Sequence, residues 1–580
     1  MRLIIKHYLS VLKERDELDA ILPDLLLAMD IPPISRPQVG TGQLGVDIAA
    51  VGIDPKDGIK KLFLLSVKPG DLGRSDWDNA SSQAVRPSLI DILETYLPTR
   101  VSPEHKELPK KIIVVVGGEL KQDLQERWAQ FRNKHEVPGS IEIDFWGGDQ
   151  LAPLIEEHLL NENLLPSDCH KLLRKSLSFA GDHNYDLRDL YHLIDRLYVD
   201  VEGSKETKKR KCAKAIRTAT LCHLIFAGWS EDEENLKHPF LSAERLVLRT
   251  WDFLRRHDLL GEGKFAEEFR FPLNCFHTSC SALFAKLQPH CHVRDGLFVR
   301  GAETVEHPAR VFECIGIVSL IGLHQCYLSR LTGEVEFHID NAVAICETLK
   351  SLINNNSISS APSFDSHIND IVLALMLLIA TNDDSFAMSW LNELIDRIAF
   401  AFNCDSGYPI ATDSFEDLIA VRMNRLEDTA KLKFCSTMLP TLAEFCVIMD
   451  ERVGSQLYSK ITKLSQSAFK DLNFQIWHPD KTTEEFLYRQ NAGFGSGITF
   501  SSIKLPDSVD EFKANVRDAM DNTASVEDFS CVQAGLVILA SSSSRHFRTP
   551  PIPFIWRNPL LMKKDDIPKA ETPAEEPATS

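Results

Sequence analysis

Two apolar runs at strand spacing, separated by a cluster of turn formers, constrain this chain more than any other stretch. Val46, Ile48 and Ala50 alternate along the first run, and Leu62, Leu64 and Ser66-Val67 carry the second. Between them lies Asp54-Pro55-Lys56-Asp57-Gly58, residue types that reverse a chain. Folded about that turn, the runs become antiparallel strands, and Asp47 at the start of the first comes beside Ser66 to Lys68 at the end of the second. Side chains alternate along a strand, so Ser66 and Lys68 share a face, and the spacing predicts that Asp47 joins them. A carboxylate and a lysine converging at one end of a hairpin form a site-like pair.

The flanks read as an α/β layer. Leu18, Ile21, Leu22, Leu25 and Met29 recur near a period of 3.6 and predict a helix within 7–29, kinked at Pro23. A short edge strand is expected at 34–38, where Pro37 is tolerable. A helix is expected over 83–97, and the β-branched run 112–116 predicts a strand buried on both faces. A helix over 122–135, a strand at 141–145 and a closing helix over 150–160 complete the series.

Gly45-Val46-Asp47 followed by Ser66-Val67-Lys68 resembles the PD-(D/E)XK nuclease superfamily, in its Mrr-like restriction branch, over residues 1–165. There a Gly-x-Asp strand start precedes a second strand ending in Glu-x-Lys or Gln-x-Lys, so Ser66 departs from the pattern. The resemblance implies a restriction-endonuclease-like α/β domain, a mixed central sheet flanked by helices, that hydrolyses DNA with Mg²⁺ or Mn²⁺. In-line phosphodiester cleavage needs a metal to polarise the phosphoryl oxygen and activate water, and Mg²⁺ prefers carboxylates and water. Asp47 is the implied ligand, with Glu17 from the first helix as the second acid and Glu14 in reserve. Lys68 would orient or deprotonate the nucleophile, and Ser66 would complete the catalytic set. Gln43, Lys60, Lys61 and Arg74 are the candidate DNA contacts. Asp71 and Asp76, just past the strand, are candidates to replace the charge that Ser66 lacks.

A net charge of −19 over 580 residues argues against a surface that binds nucleic acid everywhere, so positive charge must be confined to a groove. The length requires two or more domains. Beyond 165 the alternation fades: 166–220 reads as a linker and basic helical segment, and 221–562 as a mostly helical sensor or partner-binding domain. Helices are expected at 242–257, 311–329, 340–354, 368–380, 386–402 and 415–425, with a surface loop at 354–364. Residues 563–580 have the composition of a disordered tail. The segments 315–323 and 371–380 are apolar but too short to span a bilayer, and no signal peptide is visible, so a cytoplasmic protein without membrane contact is expected.

The 13 cysteines suggest reduced thiols. Cys275, His277, Cys280, His290, Cys291 and His292 offer enough ligands for zinc, although buried packing is the expected role. Lys208-Lys209-Arg210-Lys211 is read as a solvated helix start rather than a phosphate clamp. No motif for a second chemistry is present. A nuclease-like head on a helical body looks like effectors of bacterial antiphage or restriction systems. In those, the body senses a trigger or binds a protein partner; for this chain a homo-oligomer is considered as well. The alternative is a catalytically inactive nuclease-fold scaffold that binds a partner or nucleic acid.

Overall fold

The computed structural model describes residues 6, 9, 18–34, 44–68, 70–78, 84–158, 167–299, 305–423, 425, 429–477, 481–489, 498–502, 504–520, 529–553 and 556–557. The chain forms two compact units. The first holds residues 1–246 and 259–275, and the second holds 247–258 and 276–580. The first unit thus runs well past position 165, the boundary expected from composition. The expected tail at 563–580 lies outside the described residues.

The first unit contains helix α1 (Asp19–Ala28) and a four-stranded sheet of β1 (Ile48–Ile53), β2 (Lys60–Lys68), β3 (Lys110–Val116) and β4 (Ile141–Trp146), in that spatial order. β1 and β2 are antiparallel with Ile48 opposite Leu65, and β2, β3 and β4 run parallel. Helices α2 (Arg74–Trp77), α3 (Val85–Asp91), α4 (Gln122–His135) and α5 (Gly148–His158) fill the connections. The α3 helix continues through a π turn at Ile92–Tyr96. The mixed sheet matches the coarse sequence expectation. An isolated antiparallel bridge joins Pro33 to Ala50, and positions 35–38 of the expected edge strand lie outside the described residues.

One sheet face carries Leu62, Leu64, Ile112 and Val114, packed on Trp77, Leu89, Trp128 and Phe131. Trp77 meets Trp128 and Phe131 edge-on, with ring centroids 5.9 and 5.4 Å apart. Phe63, Leu65, Val67, Ile113 and Val115 on the opposite face are equally buried, as expected for parallel strands covered on both sides.

The hairpin turn is held by a buried charge network. Asp54 accepts the Lys56 amide at 3.0 Å and closes the turn through Gly58, whose φ of +74° suits glycine. Its Oδ2 also receives the ammonium groups of Lys61 (3.0 Å) and Lys111 (2.7 Å), both almost fully buried. Lys61 reaches on to Glu142 (2.7 Å) and Asp57, while Asp144 binds Lys56 at 2.8 Å. The turn, β2, β3 and β4 are thereby joined at one end of the sheet.

Helices α6 (Ser167–Ser178), α7 (Arg188–Leu197) and α8 (Lys205–Asp232) follow, and α9 (Lys237–Arg256) and α10 (Gly263–Cys291) carry the chain between units. The basic run 208–211 lies in the first turns of α8, where Lys209 pairs with Glu262 at 2.7 Å.

The second unit is mostly helical: α11 (Glu306–Thr332), α12 (Val335–Asn355), α13 (Ile368–Ala380), α14 (Asp384–Asn403), α15 (Phe415–Arg422), α16 (Met438–Val453) and α17 (Leu457–Ser465). It also holds a three-stranded sheet that the sequence reading did not anticipate, built from 435–436, 471–477 and 498–502. Leu472, Phe474 and Ile476 alternate inward along its central strand. The expected surface loop at 354–364 is largely buried instead: Asn356, Ser359 and Ser360 are covered, Asn356 Nδ2 donates to the Leu352 carbonyl, Ser359 Oγ donates to the Ile353 carbonyl, and the Ser359 carbonyl accepts the Trp390 indole N–H. Residues 306–329 of α11 form one stretch long and apolar enough to cross a membrane, longer than the segment expected from sequence. Its apolar window is 78% buried against neighbouring protein, the pattern of a core helix.

Burial alone would raise the Asp54 carboxyl pKa, but Lys111, the Lys56 amide and Lys61 hold it below the ordinary value, and Asp144 is lowered by Lys56. Groups whose folded pKa is depressed contribute stability above the ordinary carboxylate value near ~4, lost as pH falls through the folded value. Urea unfolding should therefore show stability constant near neutrality and falling on acidification below that range. Asp54→Asn, which leaves two buried ammonium groups without their shared carboxylate, should cost about 3–5 kcal/mol at neutral pH. A cost below about 1 kcal/mol, the level of a surface pair, would show that the network does not organise the sheet.

Candidate active site

Asp47 stands one residue before β1. Its amide donates to the Leu65 carbonyl at 2.9 Å, and its Oδ2 accepts the Val67 amide at 2.7 Å. The carboxylate is therefore fixed at the edge of β2 beside the residue that separates Ser66 from Lys68. Ser66 and Lys68 stand opposite Val114 and Val116 and share their face. Strict alternation stops at this point: Val46 and Ala49, three apart, enter the same core. The Val67 amide, rather than strand parity, sets where the Asp47 carboxylate lies.

The backbone ahead of Asp47 explains the motif glycine. Gly45 has φ +80°, and a Cβ there would lie 2.2 Å from the Ser88 carbonyl oxygen of α3. Leu44 also has a positive φ, of 49°. A bulky residue in that region stores strain, and such strain concentrates where a structure must aim particular groups. Sequence reasoning used Gly45 only as a motif letter; its structural duty is to let α3 press against the start of β1.

Ser66 is 1% exposed, and among the described residues its hydroxyl has no hydrogen-bond partner. Lys68 is half-buried and, among the described residues, makes no ion pair. The contrast with Lys61 and Lys111 is sharp, since carboxylates surround both of those. Beyond Lys68, Gly70 accepts the Gly118 amide, and Asp71 Oδ1 accepts the Glu119 amide at 3.0 Å. Asp71 is thus turned toward the loop after β3, away from β1, and Asp76 caps the Gly73 amide at 3.0 Å. Neither replaces an acid at position 66.

Several expected site residues fall elsewhere. Glu17 and Gln43, and Glu14 with them, lie outside the described residues. Lys60 and Lys61 begin β2 and Lys68 ends it, which separates Lys61 from Lys68 by about 23 Å at ~3.3 Å per residue. Lys61 is moreover 1% exposed and bound to three carboxylates, so it is a core residue and not a DNA contact. Burial works against its charge, and Asp57, Glu142 and Asp54 together raise its pKa. Arg74 is exposed on α2, just past the end of β2.

Among the described residues, the trio Asp54, Asp57 and Glu142 has ligand atoms within 4.8 Å of one another. The Lys61 ammonium contacts all three. That trio already holds a cation, and it sits at the turn end of the hairpin, away from Asp47.

Comparison of the whole chain with protein-family models, with curated proteins and with solved structures returns no match.

Because both φ and space exclude a side chain, Gly45→Ala should destabilise the first unit by at least about 1–3 kcal/mol. The urea midpoint measures this. An unchanged midpoint would show that the contact between α3 and the start of β1 does not position Asp47.

Proposed function

We propose that the first unit is a metal-dependent DNA endonuclease of the PD-(D/E)XK kind, working at the Asp47–Lys68 end of the hairpin. The helical second unit would act as its sensor or partner-binding body, in the manner of an antiphage or restriction effector. One observation carries this: a half-buried lysine ends β2 with no carboxylate partner among the described residues, beside a buried hydroxyl with no hydrogen bond among them and a carboxylate fixed on the intervening amide. Elsewhere in the sheet buried polar groups are matched, so an unmatched set at the carboxyl end of a parallel strand is where a ligand is expected.

The donor atoms are hard oxygens, a carboxylate and a hydroxyl, which suit Mg²⁺ or Mn²⁺ rather than a soft metal. Asp47 would hold the ion, with Glu17 as the second acid contributed by the resemblance. Bound there, the ion would polarise the phosphoryl oxygen and lower the pKa of water. Lys68 would orient the attacking water and balance charge on the phosphoryl oxygens. The Val67 amide aims the Asp47 carboxylate by donating to it. Arg74 is the cation best placed to meet a phosphate, and each such contact makes binding salt-dependent.

The second reading, an inert scaffold that keeps the fold, is favoured by one feature. Ser66 is fully covered where relatives would carry an acid, so the described residues supply a single carboxylate.

Supercoiled plasmid with Mg²⁺ or Mn²⁺ distinguishes the two. Cleavage should be abolished by Asp47→Asn and by Lys68→Ala and retained in Lys60→Ala, which removes an exposed lysine from the far end of β2. Ser66→Glu should preserve or increase cleavage by restoring a second acid. If instead the wild type is inert and Ser66→Glu melts lower by the same amount with and without Mg²⁺, the added carboxylate repels Asp47 with no ion to share, and the scaffold is correct.

A further inference from the structure

Among the described residues, the cysteines and histidines of 275–292 do not gather into a metal-ligating group. Elsewhere in the second unit, the segment 549–557 lies against α16 and the strand 471–477 as a bound peptide would. It follows helix Ile538–Phe547 and carries Pro550, Pro551 and Pro553, which have no amide hydrogen to give to a sheet. Its main chain turns back on itself. The Trp556 and Arg557 amides donate to the Pro553 carbonyl, and Ser544 Oγ of the preceding helix donates to the Pro550 carbonyl. Side chains anchor it to the body, and Ile552, Trp556 and Arg557 are almost fully buried.

The anchors converge on Glu444, midway along α16 and itself 1% exposed. Arg557 addresses that carboxylate with its fork: Nε lies 3.1 Å from both oxygens and Nη2 lies 2.8 Å from Oε1. Trp556 gives its indole N–H to Oε2 of the same group. Arg557 Nη1 donates to the Gln475 carbonyl at 2.6 Å, and the guanidinium lies 4.1 Å from the centroid of the Phe474 ring. Trp556 packs on Phe445 with ring centroids 5.4 Å apart. The result is a socket with a carboxylate floor, two phenylalanine walls and a strand carbonyl at its rim. A planar guanidinium matches a carboxylate fork and an aromatic face at once, which an ammonium does not. Tryptophan and arginine seated in desolvated pockets are the residues that dominate protein recognition, and proline-rich segments lose little entropy on docking.

We propose that this socket is a peptide-binding site of the second unit, occupied in cis by residues 549–557 and exchangeable for a partner peptide that presents a tryptophan–arginine pair after a proline-rich stretch. The site imposes exchange rather than vacancy. An empty socket strands the Glu444 carboxylate between apolar rings, and a buried charge without its partner is costly. An incoming peptide must therefore bring its own guanidinium. It also competes with a tethered segment, whose effective concentration is on the order of millimolar for a short link. This names the partner chemistry for the partner-binding role proposed for the second unit, and it stands whether or not the first unit cuts DNA.

The test uses the full chain and a fluorescein-labelled synthetic peptide of residues 549–559, read by fluorescence anisotropy. Arg557→Ala in the chain removes the resident guanidinium, so that chain should bind the peptide saturably. Wild type, with its socket filled, should bind at least about tenfold more weakly. A peptide carrying Arg557→Ala should lose about 10–100-fold in affinity for the Arg557→Ala chain, as loss of a central arginine anchor does. Adding Glu444→Gln to that chain should likewise weaken the unmodified peptide. Arg557→Lys, which keeps a cation and loses the fork, replaces the alanine variant if the latter no longer melts cooperatively. In the wild-type chain, excess peptide should speed hydrogen exchange in the chain's own 549–557, told from the labelled peptide by mass, and leave α13 unchanged. The proposal is overturned by a folded Arg557 variant that does not bind the peptide, or by binding indifferent to the peptide's arginine. Equal affinity for wild type and variant overturns it too, as does wild-type exchange in 549–557 unmoved by excess peptide.

Discussion

The Asp54 carboxylate is the constraint on which the first unit depends. It lies in the turn of the only antiparallel pair in the four-stranded sheet, and it receives one lysine from β2 and another from β3. A buried carboxylate with two ammonium partners cannot shift by a residue without stranding a charge. The pairing Ile48–Leu65 is therefore fixed from the turn end, while the apolar faces fix it along its length. The far end of the hairpin inherits that register. Asp47 reaches the Val67 amide because Asp54 holds Lys61.

Much of this arrangement is readable from the residues. The hairpin, the strand at 110–116, the helix Gln122–His135 and the helix Ile368–Ala380 follow from alternation, β-branching and period. What escaped is mostly polar burial. β2 and β3 each begin with Lys-Lys before an apolar run, and an exposed lysine is the default expectation. Alternation alone puts one lysine of each pair inward, where its ammonium requires acid partners. The acids lie at Asp54 and at Glu142 and Asp144, and the latter two belong to a strand distant in sequence. Only the fold shows that β4 brings them there.

The second unit makes the same point with different groups. Its polar stretch at 354–364 resembles a surface loop by composition, yet its side chains and carbonyls bond inward to Leu352, Ile353 and Trp390. Composition indicates how many polar groups a segment has. It does not indicate whether the surrounding helices supply partners, and that supply decides between surface and core. The small sheet at 435–502 was missed for a related reason: its strands are short and interrupt a helical region, so no run of alternation was long enough to stand out.

Partner matching identifies the polar residues whose bonding capacity is spent within the fold. Asp252 is fully buried, but Arg249, Arg255, Arg256 and Arg489 all contact it, so its chemistry is spent on holding helix α9 in the second unit. Glu444 and Arg557 satisfy each other in the same way. Ser66 differs: its hydroxyl is covered and, among the described residues, has no hydrogen-bond partner. A neutral buried polar atom left in that state costs on the order of 1–3 kcal/mol. Unmatched buried atoms also occur at Ser230, Ser319 and Asn369, well away from β2, so such an atom does not by itself mark a site. At the end of β2 it is the company that gives Ser66 its weight in the proposed reading: a carboxylate held by the Val67 amide on one side and the half-buried Lys68 on the other.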